Sequence, residues 1–207
     1  MRTLTKELQD AMTPAQAIDI LKKGNERFIN NLKANRNLLQ QVNETSAGQH
    51  PFAVILSCID SRTSAELIFD QGLGDVFSAR IAGNILNEDI LGSMEFACKV
   101  AGSKAVVVLG HTKCGAIKGA CDGVELGNLT KLIEKITPAV KSETSTTEDR
   151  TSKNSTFVDN VAEINVHLTI DRIRKESPIL AEMEKEGAIK IVGGMYNVET
   201  GAVDFFE

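Results

Sequence analysis

The chain has 207 residues, of which 42% are hydrophobic and 25% are charged, so its length and composition suit one globular domain with a sizeable core. Its 23 lysine and arginine residues against 28 aspartate and glutamate residues give a net charge of −5, which argues against a basic surface for nucleic acid. No apolar run approaches the roughly 20 residues of a bilayer-spanning helix, and the N-terminal segment lacks the apolar centre of a signal peptide. We therefore expect a cytoplasmic protein with no membrane insertion.

The first predicted element is a helical arm at the N-terminus. Thr13 is a typical helix N-cap, Pro14 suits the first helical position, and apolar side chains follow at helical spacing. A stripe of this kind packs either on its own domain or on a second subunit. Residues 43–49, which are mostly polar, predict a connector after the arm. The apolar stripe consists of Ala17, Ile18, Leu21, Phe28 and Leu32.

Two unbroken apolar runs predict strands that are buried on both faces, as in a parallel sheet. They span residues 52–57 and 104–110. Between them, a short helix is predicted over residues 65–69. A second strand that leads into a glycine-containing loop is predicted over residues 75–84, and a longer helix over residues 87–102. This alternation of strands and helices is typical of an α/β fold.

The second half of the chain is predicted to be mainly helical. A Ser/Thr-rich polar segment over residues 141–156 interrupts the helices and is expected to be an exposed loop. A packed helix is predicted over residues 157–173, and two short strands over residues 188–198 and 202–207 predict a C-terminal strand hairpin. Together the elements predict a mostly parallel central β-sheet flanked by helices, in a single domain over residues 1–207.

Cys58, His111 and Cys114 are predicted to meet at one edge of this sheet. Cys58 follows the first buried strand and the other two follow the second, and ligands of parallel sheets bind at the carboxyl ends of strands. Two thiolates and one imidazole suit zinc, and three protein ligands with an open fourth position are typical of a catalytic site. Cys98 and Cys121 each stand alone in a predicted helix, where a small buried thiol is the expected role.

The segments SCIDSR, residues 57–62, and GHTKCGAIKG, residues 110–119, resemble the two sequence motifs of the β-class carbonic anhydrases. The resemblance begins at about Gln49, and the helix pattern fits across most of the chain. It implies an enzyme that interconverts CO2 and bicarbonate, built as a homodimer that often pairs further into a tetramer. It also implies one Zn2+ ion per chain, with three protein ligands, namely Cys58, His111 and Cys114.

Asp60 and Arg62 follow Cys58 by two and four residues, which places them on the same side of an extended segment. Zinc lowers the pKa of bound water, so the resemblance implies attack on CO2 by hydroxide that Asp60 orients. Arg62 is expected to hold the Asp60 carboxylate bidentately and away from the metal. Some family members close the site by moving this aspartate onto zinc, and their bicarbonate pocket contains a tryptophan. This chain has Ile55 at that position, although Arg80 matches the arginine of the pocket, and an open site is therefore predicted.

The resemblance also outlines a CO2 pocket from four positions. Gln49 matches a glutamine that hydrogen-bonds the substrate, and Phe77 matches an aromatic wall residue. Phe96 stands where many members have tyrosine, and Ala82 stands where valine is common. A mainly hydrophobic pocket with one amide donor suits CO2, which is small and apolar.

Three other functions are consistent with parts of this pattern. Proteins with the same ligand set hydrolyse CS2 or COS, which have the shape of CO2. A metal-free enzyme would use Cys58 as a nucleophile and would need a nearby base. A zinc-stabilised binding module would hold its metal with four protein ligands and would show no turnover. Substrate assays, zinc removal and the number of protein ligands distinguish these alternatives.

Overall fold

A computed structural model describes residues 3–206, so that Met1, Arg2 and Glu207, at the ends of the predicted arm and hairpin, lie outside the described residues. The helices are α1 (Lys6–Ala11), α2 (Pro14–Ile29), α3 (Leu38–Thr45), α4 (Ala65–Ile68), α5 (Glu88–Glu95), α6 (Gly115–Cys121), α7 (Gly127–Glu134), α8 (Thr137–Ser142), α9 (Ser155–Glu176) and α10 (Pro178–Lys185). The strands are β1 (Ala53–Ser57), β2 (Val76–Arg80), β3 (Ala105–His111), β4 (Lys190–Tyr196) and β5 (Val203–Phe206).

The strands form one five-stranded sheet in the order β2-β1-β3-β4-β5. The first four strands run parallel, and β5 pairs antiparallel with β4. The adjacent strands β1 and β3 are buried along their whole length, which accounts for their continuous apolar sequences. The predicted mostly parallel sheet with a C-terminal hairpin is confirmed.

Helices cover both faces of the sheet. Successive side chains of β1 point to opposite faces, so that Ile55 packs with Leu21 of α2 and with Phe69 at the end of α4. On the other face, Leu56 packs in a cluster with Ile173 of α9. Among the described residues, no helix combines the length and the apolar character that crossing a membrane would require.

The N-terminal arm packs on the sheet of its own chain. Thr13 accepts a hydrogen bond from the backbone N–H of Gln16, and the Gln16 side chain accepts one from the backbone N–H of Thr13. This capping box begins α2 at Pro14, as predicted. Within the predicted stripe, Ala17, Ile18 and Leu21 are buried in the core.

Two expectations for the arm are wrong. Leu32 lies beyond α2 and is exposed, because the backbone turns left-handed at Asn31, with a φ of 54°. The connector predicted over residues 43–49 begins inside α3. The side chain of Asn37 caps α3 by accepting a hydrogen bond from the backbone N–H of Gln40. The polar composition of the segment obscured this local helix signal.

The polar segment over residues 141–156 is not the fully exposed loop that its composition predicts. Its ends belong to α8 and α9, and Glu143 is buried. Burial would raise the pKa of Glu143, but hydrogen bonds from Ser145, Thr146 and Arg150 outweigh burial and hold the pKa at about 2. The segment is therefore anchored by a buried carboxylate, which the absence of apolar residues did not indicate.

Candidate metal centre

Two adjacent strands bring Cys58, His111 and Cys114 together. Cys58 directly follows β1, His111 ends β3, and Cys114 stands just before α6. The donor atoms of the three side chains all lie within 4.8 Å of one another, and all three residues are buried. The two Sγ atoms are 3.9 Å apart. The convergence expected at the carboxyl ends of the strands is therefore present in the structure.

The His111 ring is oriented by the backbone and presents one free nitrogen. Its Nδ1 lies 2.9 Å from the carbonyl oxygen of Thr112, so Nδ1 carries the proton and donates it. Its Nε2 is buried and has no hydrogen-bond partner. Thr112 is fixed in turn, because its N–H donates to the carbonyl of Tyr196 over 3.0 Å. An unpartnered imidazole nitrogen beside two sulfurs is the arrangement that a metal ion would satisfy.

The hydrogen bond between the two cysteine side chains shifts their pKa values in opposite directions. A hydrogen bond from the Cys114 thiol lowers the pKa of Cys58 to about 4, against the effect of burial, and the same hydrogen bond raises the pKa of Cys114. A cation bound at the two sulfurs would displace the proton of the hydrogen bond between them. Softness, number and spacing of the donors all fit zinc.

Gly83 supports the Cys58 sulfur in a way that the sequence did not reveal. Its backbone N–H donates to Cys58 Sγ over 3.3 Å, and its φ of 67° lies in the left-handed region. A Cβ atom at this position would lie 2.6 Å from Cδ1 of Ile136. The sequence places Gly83 only in the glycine-containing loop that follows the second predicted strand.

Asp60 and Arg62 form a bidentate ion pair at the edge of the cluster. Arg62 Nε lies 2.9 Å from Asp60 Oδ1, and Arg62 Nη2 lies 2.8 Å from Oδ2. The guanidinium therefore holds the pKa of Asp60 well below its usual range. Arg80 fixes the backbone beneath the pair, since it donates to the carbonyls of Cys58 and Asp60. Asp60 is outside the group of candidate metal-binding atoms.

An apolar cavity of about 470 Å³ opens beside the cluster. Cys58, Asp60 and Ala82 line it, together with apolar residues of α6 and α7 such as Ala116 and Leu129. The structure thus brings one of the four predicted pocket residues, Ala82, to the candidate ligands. Such a cavity accepts a small apolar molecule next to the Cys58 side chain.

The other three predicted pocket residues lie elsewhere within the chain. Gln49 precedes β1 and lies near Gly74, which precedes β2, so it stands at the opposite edge of the sheet from Cys58. The rings of Phe77 and Phe96 pack edge to face with centroids 6.2 Å apart. They line a separate groove of about 710 Å³.

The remaining cysteines add nothing to the cluster. Cys98 is buried, and Cys121 is half-buried at the end of α6. Burial raises the pKa of Cys98 to about 12 and that of Cys121 to about 11. Within the part of the chain that the structure describes, the cluster of Cys58, His111 and Cys114 contains no fourth histidine, cysteine or carboxylate.

The chain resembles known carbonic anhydrases in sequence over nearly its whole length. A sequence model of the carbonic anhydrase family matches residues 53–203. Carbonic anhydrase 2 of Mycobacterium tuberculosis is 36% identical over 196 residues, which cover 91% of this chain and 90% of the relative. The carbonic anhydrase of Mycolicibacterium smegmatis is 33% identical over 198 residues, which cover 92% of each chain.

Solved structures show the same fold. The β-carbonic anhydrase CafA of Aspergillus fumigatus matches with a TM-score of 0.71 at 23% identity, over 93% of this chain and 90% of the other. The β-carbonic anhydrase CcaA matches with a TM-score of 0.72 at 24% identity, over 93% and 87% of the two chains. The family model and the sequence relatives confirm the resemblance found in the two motifs. The chain therefore belongs to the carbonic anhydrase family of enzymes, with the fold of the β class.

Proposed function

We propose that this chain reversibly hydrates CO2 to bicarbonate and a proton, with one Zn2+ ion held by Cys58, His111 and Cys114. The observation that carries the proposal is the buried group of three donor atoms with an unpartnered His111 Nε2, set against an apolar cavity. When bound, zinc lowers the pKa of a coordinated water towards neutrality and so supplies a nucleophile for CO2.

Asp60 and Arg62 act on that nucleophile as a pair. The Asp60 carboxylate accepts a hydrogen bond from the attacking oxygen and so directs a lone pair towards the CO2 carbon. Arg62 occupies both carboxylate oxygens from one side, at 2.9 and 2.8 Å, and keeps the side chain in this orientation. The low pKa of Asp60 keeps it an acceptor throughout the neutral range.

The apolar cavity receives the substrate. CO2 has no charge and no hydrogen-bond donor, so it partitions favourably into the space lined by Ala82, Ala116 and Leu129. Bicarbonate is charged, and the same apolar lining favours its departure towards solvent. The cavity therefore assists both the entry of the substrate and the release of the product.

We further propose a homodimer, able to pair into a tetramer, in which a second copy contributes Gln49, Phe77 and Phe96 to the CO2 pocket. Two observations support this. These residues lie away from the cavity of their own chain, and Phe96 exposes 54% of its surface on a groove beside the edge strand β2. We also propose a single domain, since one sheet contains strands from both halves of the chain and helices from the two halves together cover its faces.

Stopped-flow CO2 hydration on protein of known zinc content tests the proposed function. We expect activity with one zinc ion per chain, loss of activity on chelation and recovery when zinc is restored. CS2 and COS are assayed on the same samples. Turnover of CS2 or COS without CO2 hydration, or no turnover at one zinc ion per chain, would contradict the proposal.

Replacing Phe96 by aspartate tests the contribution of a second copy. The buried charge is expected to shift the protein from dimers to monomers and to lower CO2 hydration at least about tenfold, while zinc content stays unchanged. Light scattering after gel filtration gives the mass. Ile179→Asp on α10 is the matched control, since Ile179 is 41% exposed and does not line the groove. An active monomer would contradict this part of the proposal.

A further inference from the structure

Helix α9 contacts the segment that carries two of the candidate zinc ligands. The Asp159 carboxylate accepts the backbone N–H of Lys113 through Oδ1 at 3.0 Å. Lys113 lies between His111 and Cys114 in sequence, so this hydrogen bond fixes the backbone that separates the two donors. Asp159 is far from them in sequence and is half-buried.

The backbone at Lys113 needs such support. Its φ of 57° lies in the left-handed region, which is unfavourable for a residue other than glycine. The left-handed turn reverses the chain and lets His111, at the end of β3, and Cys114, before α6, face the same point. Thr112 is tied to β4 and Lys113 to α9, so this turn is held from two sides.

The same helix also supports the third ligand. The buried Asn165 side chain donates through Nδ2 to the carbonyl of Gly83 over 2.9 Å. The N–H of Gly83 donates in turn to Cys58 Sγ over 3.3 Å. Asn165 therefore fixes the peptide that stabilises the Cys58 thiolate, although it contacts no candidate ligand directly.

We propose that Asp159 and Asn165 are positioning residues, through which α9 presets both cysteine side chains for zinc. The inference rests on the proposed zinc site and deepens it. The protein imposes this geometry before the metal arrives, so loss of either contact weakens zinc binding. Outer contacts of this kind typically change metal affinity by about 10-fold to 100-fold.

The test measures the zinc dissociation constant of the full-length chain by competition with a chromophoric chelator. Asp159→Ala is expected to raise the constant by about 10-fold to 100-fold, and Asp159→Asn, which keeps an acceptor oxygen, is expected to stay near the parent. Lys113→Gly is expected to rescue zinc binding by Asp159→Ala in part, because glycine adopts the left-handed turn without support.

Asp171→Ala is the matched control, since Asp171 is an exposed carboxylate on the same helix. The cobalt(II)-substituted spectrum of Asp159→Ala is expected to change with the ligand geometry.

The outcomes separate this inference from the proposed function. A parent chain that binds no zinc would overturn both. A parent that binds zinc and an Asp159→Ala variant that binds it equally, with only a lower melting temperature, would overturn the positioning role alone. If Asp159→Asn and Asp159→Ala weaken zinc binding equally, the positioning role is also overturned, because the acceptor oxygen that asparagine retains would then have no effect. Asn165→Ala is a second variant, expected to weaken zinc binding in the same range.

Discussion

Replacing His111 by alanine is expected to remove measurable CO2 hydration, with kcat/KM lowered by at least about 10³-fold. His111 supplies the one neutral donor of the cluster, and its Nε2 is the buried atom that lacks a partner. The two cysteines alone would leave a cation with two protein ligands, too few for a stable tetrahedral site. Stopped-flow hydration and the zinc content of the purified variant provide the measurement.

His167→Ala is the control for this experiment. His167 is exposed and stacks on Phe206 with ring centroids 4.5 Å apart, away from the candidate ligands. We expect this variant to keep both zinc and activity. A His111→Ala protein that hydrates CO2 without metal would instead favour the alternative in which Cys58 is a nucleophile.

The parts of the site that follow strands were predictable from the sequence. Cys58 and His111 come at the ends of two continuous apolar runs, and such runs predict adjacent parallel strands whose carboxyl ends meet. Asp60 and Arg62 are also close in sequence, although the structure joins them across a turn and not along the extended segment that their spacing predicts. The apolar runs were therefore sufficient to predict that Cys58 and His111 lie close together.

The supports behind the ligands were not predictable. The backbone at Lys113 is left-handed between two cluster residues, His111 and Cys114, and its partner Asp159 lies 46 residues away. Asn165 and Gly83 meet across 82 residues. Contacts of this kind depend on how α9 crosses the sheet, and neither residue type nor periodicity encodes that crossing.

The substrate pocket shows a different limit. The resemblance to the β-class family assigns four residues to one CO2 pocket, namely Gln49, Phe77, Ala82 and Phe96. Within one chain, only Ala82 of these four lines the cavity. A linear motif does not state which copy of the chain supplies each residue. The separation of these residues is therefore the reason to propose a second subunit at the site.

Replacing Asp60 by asparagine is expected to lower kcat by about 10²-fold to 10³-fold while zinc remains bound. Asparagine fills the same space, but its amide group can donate to the nucleophile and so present it wrongly to CO2. It also loses the charge that Arg62 binds through two hydrogen bonds of 2.9 and 2.8 Å. The measurement is stopped-flow hydration over a range of pH on protein of equal zinc content.

Arg62→Ala completes this test, because the two side chains are expected to act as one unit. We expect a loss close to that of Asp60→Asn, and the double variant should be little worse than either single one. Arg174→Ala is the matched control, since Arg174 forms a similar bidentate pair with Glu184, at 2.8 and 2.9 Å, away from the cavity. Removing a surface ion pair alone costs little, so this variant should keep its activity. Full activity in Asp60→Asn would exclude the orienting role and leave the three ligands and the apolar cavity to account for the reaction.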